Sequence, residues 1–272
     1  MNTSLGLPFE NKGGDQPEWK ALYQRRENRA EGVIPPEVVL LTAGVDVQKD
    51  RLEISIIGWN RKQSWLIEHK RLFGDAASED VWKELDELLD TDYEHPNGEA
   101  IPIRVLGIDS GYQTSQVYEW ARTKSQRRVI VLKGRDSLEV PVATPKLVDV
   151  NFKGKKSKRG VRLWHAGVSV LKSELYGRLN LEMPTHRQLE AKDWPKGFVH
   201  FPQVDEEYFK QLTAETCVIQ KLSSGHVKYV WKKTYSENHA LDFFVYALAS
   251  YYAFGANKWK EEKWNEVEIF YS

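Results

Sequence analysis

Three aspartates stand where an ionised side chain is costly. Asp46 lies in GVDVQKDRLEISIIGWN, near the far end of the almost continuous apolar run VVLLTAGVDV. Asp109 lies in GIDSG, which closes the apolar segment IPIRVLGIDSG, and Asp242 sits between Ala240-Leu241 and Phe243-Phe244-Val245 in the most apolar stretch of the chain. Removing a carboxylate from water costs several kcal/mol unless something compensates. Each aspartate alone has an ordinary explanation: turn amides at Gln48 and Lys49 for Asp46, a helix cap for Asp109, a lysine partner for Asp242. Taken together they point elsewhere. In open α/β sheets ligands bind beyond the carboxyl ends of the strands, and both strand aspartates fall there. A late helix packed across the sheet brings the third acid to the same edge. Three mutually repelling carboxylates call for a divalent cation that prefers oxygen ligands, Mg²⁺ or Mn²⁺. Two such ions about 4 Å apart activate a water and stabilise the leaving oxygen of a phosphodiester, so the predicted chemistry is hydrolysis.

Other side chains could support these acids. Asn238 and His239 precede Asp242 by four and three positions, which puts them on its helical face; either could orient a metal-bound water, and His239 could equally bond locally at the helix start. Lys133 and Lys172 could neutralise a phosphate or be plain solvated lysines. Asp205, Glu206 and Glu207 form an acidic cluster that reads as a helix N-terminus matched to its dipole. KGKKSKR carries five positive charges and no negative one. Its residues Lys153, Lys155, Lys156, Lys158 and Arg159, placed at a hairpin tip, could contact DNA phosphates without reading sequence, or could form an exposed solvated loop.

The elements that must position these groups follow from hydrophobic period. VVLLTAGVDV reads as a central strand, RLEISIIGW alternates as its neighbour, and SWLIEHKRLFG is a third strand, the three joined by the polar turns QKDR and NRKQ into an antiparallel meander. SEDVWKELDELLD has helical spacing, with Ser78 as the expected N-cap. IPIRVLGIDSG, the helix TSQVYEWARTKS and the strand RRVIVLKG imply a parallel crossover. Residues 146–165 read as a hairpin, SVLKSELYGRL and EEYFKQLTAET as helices, HVKYVWKKT as a late strand, and NHALDFFVYALASYYAF as a long buried helix. The fold class is α/β, a three-stranded meander continued by parallel strands under covering helices. Residues 1–36 are punctuated by Gly13-Gly14, Pro17 and Pro35-Pro36 and read as a linker or arm, residues 37–256 as the folded domain, and residues 257–272 as a charged tail.

Composition narrows the function classes. The 272 residues contain 39 Lys+Arg and 39 Asp+Glu, so no global field draws the protein to nucleic acid or membrane, and a polyanion site must be local. One cysteine, Cys217, leaves no internal disulfide framework and suits a reducing compartment. No apolar run approaches the roughly 18 residues of a membrane span, and no secretory signal is evident, so a soluble intracellular protein is expected.

The segments GVDVQKDRLEISIIGWN, GIDSG and NHALDFFVYALAS, in that order, resemble the nuclease domain of the large terminase subunit of lambda-like tailed bacteriophages, and NTSLGLPFE resembles the linker that follows that family's ATPase domain. The resemblance implies an RNase H-like mixed sheet whose first three strands are antiparallel, and a two-metal endonuclease that cuts concatemeric viral double-stranded DNA. It implies Asp46 as the first-strand acid, Asp109 as the fourth-strand acid and Asp242 as the helix acid. It also implies a packaging ATPase domain, a small terminase subunit and a portal as partners, in the cytoplasm of an infected bacterium. No G-x-x-x-x-G-K-[ST] occurs in the chain, so the ATPase is expected to be absent and the chain to be an excised domain or truncated product. Three other readings remain open on residues alone: an actin-like or sugar-kinase-like phosphotransferase, which also uses strand-end aspartates, an integrase, resolvase or exonuclease of the same nuclease-like fold, and a non-catalytic module that binds DNA or a portal.

Overall fold

The computed structural model describes residues 16–152, 155–191, 193–221 and 227–272. After a short helix α1 (Trp19–Gln24), the chain enters the expected meander: β1 (Leu40–Val47), β2 (Arg51–Trp59) and β3 (Ser64–Phe73). Helix α2 (Asp80–Leu89), the short strand β4 (Asp92–Glu94), β5 (Ala100–Asp109), α3 (Thr114–Arg122) and β6 (Val129–Gly134) follow. Next come the hairpin β7 (Lys146–Phe152) and β8 (Lys155–Ala166), then α4 (Val168–Leu179), α5 (His186–Glu190), β9 (Val199–His200) and α6 (Glu206–Leu212). The chain continues through β10 (Glu215–Lys221), β11 (Val227–Lys233), α7 (His239–Phe254) and α8 (Glu261–Phe270).

The main sheet runs β7-β8-β6-β5-β1-β2-β3-β9, with β4 paired to β5, and β10-β11 form a separate antiparallel pair. Strand β2 is antiparallel to both of its neighbours, β1 and β3, whereas β5, β6 and β8 continue parallel to β1. That order, meander first and crossover strands on the other side of β1, is the RNase H-like arrangement. Strand β1 is buried at all eight positions, as its unbroken apolar sequence requires of a strand covered on both faces.

Helix α7 lies across β1, β2 and β5. It is apolar around its circumference because α4 and α6 also pack against it. Among the described residues no helix is long and apolar enough to cross a membrane.

The two ends of the chain differ from the sequence reading. Within residues 1–36, read as an arm, Leu22 and Ile34 join the core, and Tyr23 packs edge-on against Phe209. The arginines of this polar segment are spent on backbone carbonyls: Arg25 donates to Leu181 O, and Arg26 to Val204 O. The tail is likewise part of the fold. Trp264 of α8 is 5% exposed, and Arg61 binds Glu261, Asn265 and Glu268 along one side of that helix. The tryptophan and the arginine clamp hold the charged tail against the domain.

The expected helix over 206–216 also stops early. Thr213 Oγ1 turns back to Phe209 O, and β10 begins at Glu215.

Candidate active site

The three aspartates are brought together by two glycines. Gly44 and Gly107 are partners in the parallel β1–β5 ladder, and each precedes its aspartate by two residues, hence on the same face of the sheet. A Cβ on Gly44 would meet Phe243 O at 2.0 Å and Ala247 N at 2.3 Å; one on Gly107 would meet Ser250 Oγ at 2.3 Å. Only the missing side chains let α7 lie this close. Thr42 Oγ1 donates to Ala247 O, and Ser250 Oγ to Ala43 O, fixing the helix in place. Helix α7 therefore runs from the carboxyl end of β1 towards its start. Its first turn carries Asp242 to the edge where β1 ends beside Asp46 and β5 at Asp109, the register Val45–Ile108 making these two strand neighbours.

Each carboxylate has a distinct set of partners. Asp46 accepts from the Gln48 amide and faces His239 Nδ1 at 3.4 Å, and this contact raises the His239 pKa. Asp109 accepts from Gly111 N at 2.8 Å and from the Tyr246 hydroxyl. Burial and the neighbouring Asp46 charge push its pKa up, opposed by these bonds and by the charge of Lys133. Asp242 meets Lys172 Nζ at 3.3 Å and Asn238 Nδ2 at 2.9 Å. Burial pushes its pKa to about 6; Lys172 opposes this, and Asp46 and Glu215 add to it. A single ammonium faces both Asp242 and Glu215, and its charge does not offset the burial of Asp242. Burial alone would lower the Lys172 pKa, yet the charges of Asp242 and Glu215 leave it raised.

The supporting residues read from the sequence, Asn238, His239, Lys172 and Lys133, all act on one of the three acids. The acidic cluster does not: Asp205 caps α6 by accepting from Tyr208 N at 2.9 Å, and Glu207 bonds Gln211 and Tyr235. Tyr246 and Glu215 escaped the sequence reading, and Gln48, expected to offer a turn amide to Asp46, offers its side-chain amide instead. Gln48 stands two residues beyond Asp46, and Tyr246 one helical turn beyond Asp242, so strand and helix periods pointed to both. Glu215, 5% exposed and bonded to Lys172 at 2.8 Å, was hidden inside the overlong helix.

The basic stretch lies in the β7–β8 hairpin. Lys155, Lys156, Lys158 and Arg159 fall on strand β8 rather than in a loop, because the ladder extends to the Phe152–Lys155 pair. Lys158 is exposed. Lys153, and the side chains of Lys155, Lys156 and Arg159, lie outside the described residues.

Residues 1–264 match the family described as terminase large subunit gpA, endonuclease domain. The chain belongs to that family. It is 34% identical over 256 residues to the terminase large subunit of Escherichia phage lambda and 29% identical over 257 residues to that of Enterobacteria phage P21. Either match takes in 92% of this chain and 38% of the relative, so the chain spans well under half of the proteins it resembles. Among solved structures, the large terminase nuclease of thermophilic phage G20c shares 14% identity at a TM-score of 0.40, over 84% of this chain and 90% of that one. The large terminase of a second thermophilic bacteriophage shares 12% identity at a TM-score of 0.42, over 86% and 45%. Membership of this endonuclease-domain family decides against the phosphotransferase alternative.

Proposed function

We propose that this terminase domain is a metal-dependent endonuclease that hydrolyses phosphodiester bonds of concatemeric double-stranded DNA, with Asp46, Asp109 and Asp242 as its catalytic acids. The observation that carries the reading is the arrival of all three at one sheet edge, on two adjacent strand ends and the helix crossing them.

The donor set suits Mg²⁺ or Mn²⁺ in kind: hard carboxylate oxygens, with the charge of Asp46 raising the proton affinity of both Asp109 and Asp242. Among the described residues no group of three or more His, Cys, Asp or Glu is drawn together closely enough to hold an ion. The bonds explain the spacing, since Gln48 and His239 engage Asp46 while Lys172 and Asn238 engage Asp242. Two divalent ions, when bound, would supply the charge that activates water and stabilises the leaving oxygen.

The protein's own groups do the remainder. Gly111 N and Tyr246 hold Asp109 in one orientation. Asn238 fixes Asp242, and His239 places a titratable ring against Asp46. Lys133, near the end of the next strand, puts a positive charge beside Asp109 where a scissile phosphate would sit.

A packaging ATPase domain, a small terminase subunit and a portal, in the cytoplasm of an infected bacterium, are the partners and setting this reading carries with it. The test is plasmid cleavage in Mn²⁺. Asp46→Ala, Asp109→Ala and Asp242→Ala should each abolish cleavage while keeping a cooperative thermal melt. Cleavage that persists in all three variants, or in the presence of chelator, rules the reading out.

A further inference from the structure

The two sides of the site differ in one respect. Asp46 and Asp109 meet an amide, an imidazole, a backbone N–H and a phenol, and among the described residues neither forms an ion pair with a lysine or arginine. Asp242 has an ammonium already in place. Lys172 Nζ lies 3.3 Å from Asp242 Oδ1 and 2.8 Å from Glu215 Oε1, with its side chain 10% exposed. Asn238 Nδ2 occupies the other Asp242 oxygen at 2.9 Å and reaches Glu215 Oε1 at 2.7 Å. Both oxygens of Asp242 are thus engaged, and the cationic donor bridges two carboxylates as a small metal ion would.

Lys172 also has somewhere to go. A cavity of about 290 Å³ adjoins it, lined by Asp136, Ser169, Glu215, Trp231 and Lys233. That space is lined by the carboxylates Glu215 and Asp136, so an ammonium swung into it and away from Asp242 is not stranded without a counter-charge. The four-carbon stem and its rotatable head suit such a movement in a way a planar guanidinium does not.

We propose that Lys172 occupies the second cation position of this site, so that one divalent ion is taken beside Asp46 and Asp109 with no lysine or arginine to displace and an ion at Asp242 enters only by displacing the Lys172 ammonium. The inference rests on the metal-dependent reading above and adds an order of loading to it.

Mn²⁺ titration of the DNA-free chain, followed by calorimetry and by electron paramagnetic resonance of free Mn²⁺, tests it. Wild type should show two classes of site separated by at least about tenfold in affinity, or the tight class alone. Lys172→Met should strengthen the weak class by at least about tenfold and leave the tight class in place, whereas Lys172→Arg should keep the separation. Two equal classes in wild type overturn the inference, as does a weak class unmoved by Lys172→Met. Should the methionine variant not fold, a crystal of the wild type at saturating Mn²⁺ decides: anomalous signal at Asp242 with Lys172 still paired to it also overturns the inference, and Lys172 moved into the cavity supports it. Absence of any Mn²⁺ binding would remove the metal-dependent reading and this inference together, an outcome distinct from two equal classes.

Discussion

Gly44 lies directly across from Gly107, and the two bare backbones form the bed on which α7 rests. Gly44→Ala would drive a methyl into Phe243 O, a backbone atom that cannot rotate away. The variant should lose about 3 kcal/mol or more in urea unfolding. Because α7 carries Asp242, any protein that still folds should cleave poorly. A Gly44→Ala protein with wild-type stability would show that the helix is not seated as described.

Glu53 is the ladder partner of Asp46 and is 1% exposed. Burial raises its pKa, but bonds from His69 and Arg51 and the charge of Arg71 outweigh this and bring it to about 2. A depressed carboxylate stabilises the fold above its unfolded value of 4.5, and this contribution is lost as pH falls from there through about 2. The full contribution is roughly 3 kcal/mol. Urea titrations at pH 5 and pH 2.5 should show wild type losing more stability than Glu53→Gln; equal losses would contradict the assignment.

Lys155, Lys156, Lys158 and Arg159 share strand β8. Replacing all four by alanine should weaken binding to duplex DNA of any sequence. It should also flatten the dependence of log K on log salt by about 0.9 for each phosphate no longer neutralised. Fluorescence anisotropy between low and moderate salt measures both. An unchanged slope assigns these charges to solvation.

Trp264 anchors α8, its ring 4.8 Å from that of Trp259. Trp264→Ala should cost about 3 kcal/mol, read as a fall in melting temperature, while the candidate site, at the other end of α7, keeps its Mn²⁺ affinity. A melt identical to wild type would show that this ring does not anchor the segment.

How much of this was legible in the sequence depends on what kind of force fixes each part. The sheet and α7 were readable because burial imposes a period: β1 is apolar at nearly every position, and α7 all round. The three aspartates stood out because they break that period. Polar contacts between segments far apart along the chain were less readable. Residues 19–36 bury Leu22 and Ile34 without a sustained hydrophobic period, and the rest of their attachment relies on Arg25, Arg26 and Glu27 meeting backbone and His200 far along the chain. Glu215 is similar: its role depends on Lys172 and Asn238, 43 and 23 residues away. Strand β10 was missed because its outer positions, such as Ile219 at 60% exposed, are not sheltered by a core that would impose strict alternation.

The order of the acids along the chain has a consequence for biosynthesis. Asp46 and Asp109 leave the ribosome first and become neighbours through β1 and β5, but Asp242 belongs to α7, which is made after every strand of the main sheet. A nascent chain therefore holds an incomplete set of acids until that helix has been synthesised, and on the proposed reading any capacity to cut nucleic acid arises only when it docks.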